Sequence, residues 1–103
     1  MKRPEILRQI SDAIHRVAPG SQAIVYGSEA RGDARADSDI DLLILLEREQ
    51  SLTPKEEFDL RRPLSELEAK TGVAINALFT LRSIWEKLVT PFTIRVNEEG
   101  VVI

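Results

Sequence analysis

Between Ile40 and Leu46 an apolar run is interrupted only by Asp41. So short and so apolar a stretch is expected to be a central strand carrying acids at its start, because only a strand covered by its neighbours can be this poor in polar residues. The sequence offers such neighbours. Ala23-Ile24-Val25-Tyr26 is a second apolar segment, which stops abruptly at Gly27-Ser28. Val73 to Phe79 is a third, with Asn76 as its one polar insertion.

Helices separate these strands. Ile6, Leu7, Ile10, Ala13, Ile14 and Val17 recur at three- and four-residue steps, as one buried helical face requires. Pro4 suits the first turn of that helix and Pro19-Gly20 its end. Thr53 can cap a helix that has Pro54 in its first position and Glu56 completing a capping box. This helix is expected to reach Thr71-Gly72, with a break or kink near Pro63. Ser83-Ile84-Trp85-Glu86 is expected to open a short helix by the same capping logic. Thr90-Pro91 should start a last one, closed by Gly100 before the strand-like Val101-Val102-Ile103. Residues 29–38 read as a loop or a single helical turn. The order helix, strand, strand, helix, strand, helix implies an α/β or α+β fold, with helices packed on a small mixed sheet. The 103 residues leave room for one domain, residues 1–103, with one modest core.

Charge and composition narrow the function. The net charge is −3 and the basic residues are scattered, so the basic face that duplex nucleic acid demands is not expected. A small ligand bringing its own metal counter-ions fits better. The absence of cysteine excludes disulfides and thiolate metal sites. Met1-Lys2-Arg3-Pro4 does not read as a leader, and no apolar run approaches the about 20 residues of a membrane span. The expected location is the cytoplasm, without membrane attachment.

The chemistry is concentrated in Gly27-Ser28 and Asp39-Ile40-Asp41. Residues two apart on a strand project to one face, so Asp39 and Asp41 should point together while Ile40 and Leu42 face the core. Two such carboxylates repel, and a divalent cation of the Mg²⁺ type relieves the repulsion, with phosphates and water filling its remaining positions. Taken alone, the acids could equally be solvated surface charge. A glycine straight after a buried strand allows close approach of a ligand and frees N–H groups for anionic oxygens, and the Ser28 hydroxyl adds a donor. Ten residues, Glu29 to Ser38, separate the two halves, enough to leave one strand and return on the next. A triphosphate lying between them would be placed for phosphoryl or nucleotidyl transfer.

This compound motif, with Ala30-Arg31-Gly32 inside the gap, resembles the polymerase-beta-like nucleotidyltransferase superfamily. It is most similar to the minimal members, the MNT proteins, which pair with HEPN-domain partners in toxin–antitoxin modules. The ending Glu99-Gly100-Val101 also resembles that of the family. The resemblance implies that Gly27 and Ser28 hold the triphosphate of ATP, with Arg31 as a further phosphate contact, and that Asp39 and Asp41 ligate Mg²⁺. It implies an antitoxin that transfers AMP from ATP to a hydroxyl of its HEPN toxin. The superfamily usually supplies a third carboxylate from the strand placed here at Val73–Phe79, where this sequence has Asn76. An amide cannot serve as a general base. Three readings follow: a slower transferase, a site completed by another acid such as Glu57 or one from the partner, or a nucleotide-binding module that neutralises its partner by contact. A stand-alone small-molecule transferase fits the short chain least, because larger members carry acceptor-binding domains.

Elsewhere His15 reads as a surface residue and Arg61-Arg62 as a solvated pair. Tyr26 reads as half-buried packing that could touch a base. Trp85 reads as core or edge, with a partner anchor as the alternative. Association with itself or with a partner is left open by the sequence.

Overall fold

The computed structural model describes residues 3–103; Met1 and Lys2, which open the segment read as lacking a leader, lie outside the described residues. Among the described residues nine elements follow in order: α1 (Pro4–Val17), β1 (Gln22–Tyr26), α2 (Ser28–Arg31), β2 (Ile40–Leu46), α3 (Pro54–Thr71), β3 (Ile75–Leu81), α4 (Arg82–Trp85), α5 (Pro91–Glu99) and β4 (Val101–Val102). One four-stranded sheet has the order β3-β2-β1-β4. β2 and β3 run parallel, which obliges α3 to act as the crossover between them. β1 is antiparallel to both β2 and β4. The mixed sheet and flanking helices match the α/β expectation.

β2 is the spine, as its composition demands. Its side chains alternate between two layers. Ile40, Leu42, Ile44 and Leu46 pack with Leu7, Ile10 and Ile14 of α1 and Leu64 of α3. Leu43 and Leu45 face the other way, onto Trp85 and Val96. Asp41 has the parity of Leu43, so it emerges on the α5 side. The register sets Tyr26 opposite Asp41 on one flank and Asn76 opposite Asp41 on the other. Three residues from three strands therefore meet at one end of the sheet.

Three local expectations are corrected. Of the break or kink expected near Pro63, the break is absent: α3 runs unbroken from Pro54 to Thr71. Losing one backbone bond there costs about 3 kcal/mol, and the packing of Leu60, Leu64 and Leu67 on the core offsets it. β3 starts at Ile75 rather than Val73, because Gly72 ends α3 in a left-handed conformation (φ 73°) and the chain must still turn back to the sheet. Ser83 lies inside α4 and does not cap it; Leu81 holds the cap position without a side-chain bond, since β3 runs directly into the helix. Thr53 and Thr90 do cap α3 and α5, each in a reciprocal capping box. Arg61 is less solvated than expected, with its guanidinium 4.9 Å from the centroid of Phe79. His15 is exposed, and Trp85 is buried with its indole N–H donating to Asn97. Among the described residues no helix is long and apolar enough to cross a membrane.

Candidate active site

Gly27 leaves β1 with φ 76° and ψ −153°, a combination that side chains strongly disfavour. Space forbids one as well, since a Cβ at this position would lie 2.6 Å from Asp41 Oδ2. The glycine therefore serves two ends: it turns the chain into the single turn of α2, and it lets the Asp41 carboxylate lie against the backbone. Gly27→Ala is expected to lower stability by about 2 kcal/mol through backbone strain and to push Asp41 aside. A urea titration should show the loss of stability.

Asp39 sits just before β2 and Asp41 one residue inside it. The Asn76 side-chain amide donates to both, at 3.1 Å to Asp39 Oδ2 and 3.2 Å to Asp41 Oδ1. One nitrogen thus reaches both carboxylates, so their oxygens converge on a single point. A hard cation of the Mg²⁺ type fits such a pair when phosphates and water complete its shell. Among the described residues no group of three or more His, Cys, Asp or Glu side chains could hold a metal by itself. Glu57 does not supply the third acid. It is paired with Arg61 at 2.8 Å and lines a hollow beside Thr80 and Leu81. Asn76 lies at the other end of the same strand, about 13 Å away at strand rise.

A cavity of roughly 310 Å³ opens beside the carboxylates, lined among others by Tyr26, Gly27, Ser28, Asp41, Phe92 and Arg95. That volume is at the small end for a ligand pocket, enough for part of a nucleotide. Tyr26 and Phe92 meet edge to face at 5.6 Å on its wall. Burial, and secondarily the charge of Asp41, push the Tyr26 hydroxyl pKa up, so it stays protonated at neutral pH.

Two features of the site are closed only by the fold. The first is Glu99 at the end of α5. It accepts from the Gly27 N–H at 2.9 Å and from Arg31 Nη1 at 3.2 Å. Arg31 is thus paired, to Glu99 and to Asp33, rather than simply solvated. The Gly27 N–H, helped by Arg31 and Arg95, holds the Glu99 carboxyl below the usual carboxylate range. Gly100 makes this placement possible, since a Cβ there would lie 2.6 Å from both the Val96 carbonyl oxygen and the Ile24 side chain. The ending Glu99-Gly100 was the available signal. The second feature is Glu29, fully buried against Arg3, for which a loop acid in the sequence gives no sign.

A strand-to-turn glycine thus lies against one of two convergent carboxylates at the mouth of a mixed sheet. The sequence profile of the nucleotidyltransferase domain matches residues 7–103, and the chain belongs to that family. Solved structures share the fold. A toxin–antitoxin crystallised with AMP-PNP superposes with a TM-score of 0.65 at 17% identity, covering 92% of this chain and 69% of that one. A mutant form of the toxin–antitoxin MntA-HpeT gives 0.58 at 17% identity, covering 100% of this chain and 72% of that one. No curated protein is similar enough in sequence to count as a relative.

Proposed function

We propose that this chain is a Mg²⁺-dependent adenylyltransferase acting as an antitoxin, which moves AMP from ATP to a hydroxyl of a HEPN-type toxin in the cytoplasm. The observation that carries the reading is the contact between the Gly27 turn and Asp41, with Asp39 converging on the same point. Membership of the nucleotidyltransferase domain family supports the reaction class. The toxin–antitoxin context of similar folds supports the partner.

In this reaction the acceptor oxygen attacks the α-phosphorus of ATP, the bond to the β-phosphate oxygen breaks, and pyrophosphate leaves. Ser28, Arg31 and the Gly27 turn orient the triphosphate, which supplies most of the catalysis in such transfers. Asp39 and Asp41 would hold Mg²⁺, whose charge neutralises the phosphates. The proton of the attacking hydroxyl needs an acceptor. Asn76 cannot take it, and Glu57 is at the wrong end of β3. The proton therefore passes to water, and this step is the slow one of the transfer.

The Asn76 amide bridging both aspartates also favours a second reading, a nucleotide-binding module that neutralises its toxin by contact. One experiment separates the two. The purified protein and its toxin partner are incubated with α-labelled ATP, with Mg²⁺ or with a chelator. Mg²⁺-dependent label on the toxin is expected, together with loss of toxin activity. Neutralisation that proceeds fully in chelator, with no label on the toxin, would sink the transferase reading and leave the module.

A further inference from the structure

The Gly27 N–H and Arg31 are the donors expected to meet phosphate oxygens, yet a carboxylate of the same chain already holds both. Glu99 Oε1 accepts the Gly27 N–H at 2.9 Å. Arg31 Nη1 reaches both oxygens of that carboxylate, at 3.4 and 3.2 Å. The Glu99 side chain is 17% exposed, against 47% for Arg31, so the acid is seated in the site rather than draped over it. Arg95 lines the same cavity.

One N–H donates to one acceptor at full strength, and an anionic phosphate is as good a partner for it as a carboxylate. A phosphate and Glu99 cannot share this position, because the two anions would lie side by side and repel. We propose that Glu99 is an internal competitor for the phosphate chain: it occupies a phosphate position on Gly27 and Arg31, and must be displaced for a polyphosphate to bind. This rests on the reading of the cavity as a nucleotide site and adds to it a residue that sets affinity. The same competition acts on pyrophosphate, the leaving group of nucleotidyl transfer. When Glu99 returns to Gly27 and Arg31, it replaces the donors' hold on pyrophosphate and speeds its release.

The test is calorimetric titration of the whole chain with magnesium tripolyphosphate, MgATP and adenosine, in the wild type, Glu99→Gln and Glu99→Ala. Glu99→Gln keeps the shape and an acceptor for the Gly27 N–H but removes the charge, so it guards against loss of folding in the alanine variant. Both variants are expected to bind tripolyphosphate and MgATP about tenfold more tightly than the wild type, with adenosine unchanged. Equal or weaker polyphosphate binding in a folded Glu99→Gln protein would mean that Glu99 only braces the turn, and would overturn the proposal while leaving the nucleotide site intact. If neither polyphosphate binds any of the three proteins, the nucleotide reading and the competitor fall together. A gain in adenosine affinity equal to that for tripolyphosphate would also overturn it, since the effect would then not concern phosphate.

Discussion

Arg3→Ala is expected to cost about 3 kcal/mol of stability, the lower end of the range for breaking a buried charge pair. Arg3 stands immediately before α1, and its side chain is only 12% exposed where it meets the fully buried Glu29. Its Nε donates to Glu29 Oε1 at 2.7 Å and its backbone N–H to Oε2 at 3.0 Å. A third arm, Nη1, donates to the carbonyl of Ser38 at 2.7 Å. One guanidinium thereby joins the start of α1, the turn that follows Gly27, and the residue that precedes Asp39. Removing it strips that charge from the fully buried Glu29. Glu29 has further interactions of its own, which is why the lower end of the range applies. A domain of this size has total stability of about 5–15 kcal/mol, so the loss is a large fraction. In urea the midpoint should fall by roughly 1–3 M. Arg3→Lys should recover only part of it, because an ammonium cannot reproduce the fork that spans Glu29 and Ser38. A midpoint within error of wild type for Arg3→Ala would show that the other interactions of Glu29 suffice to hold it.

That pair also marks the limit of what the sequence discloses. Short-range signals were legible: the periodic face of α1, the Thr53 and Thr90 boxes, the apolar strand with its acids, and the glycine that ends β1. Each is decided by residues within a few positions of one another. Asn76 falls in the strand that its apolar surroundings predict, and the register sets it opposite Asp41. What could not be read are the partnerships closed by the fold. Glu29 and Arg3 are 26 residues apart and Glu99 and Gly27 are 72 apart; nothing local separates Glu29 from a solvated acid, and Glu99 is marked only by the Gly100 that follows it. Glu57 fails for the complementary reason. As an acid on a helix beside the right strand it is plausible in one dimension, but the parallel crossover delivers it to the far end of β3. Pro63 shows local preference overridden, since tertiary packing carries α3 through a residue that would end an isolated helix.

The largest effect on activity is expected from Asn76→Asp. At present the Asn76 amide donates to both aspartates, so it both screens their repulsion and occupies the point on which they converge. An aspartate there reverses each contribution. Without cation, three carboxylates crowd one end of the sheet, and stability should fall by about 1 kcal/mol, the scale of like charges near 4 Å in an exposed setting. With Mg²⁺ the order should invert, because a third oxygen ligand makes the folded state the tighter binder and ligand linkage then raises its stability. A thermal melt with and without Mg²⁺ reads this reversal independently of activity. In the transfer assay the new carboxylate can accept the proton that an amide cannot, and general-base catalysis is worth about 10²–10⁴-fold. Label transfer to the partner should rise within that range. Adding Asp39→Asn and Asp41→Asn to Asn76→Asp should abolish the gain, since the deprotonated hydroxyl then has no oriented triphosphate to attack. If Asn76→Asp reverses the Mg²⁺ response but leaves transfer unchanged, the proton is already taken by a group outside this chain, and Asn76 is the adaptation of a site whose base is lent by its partner.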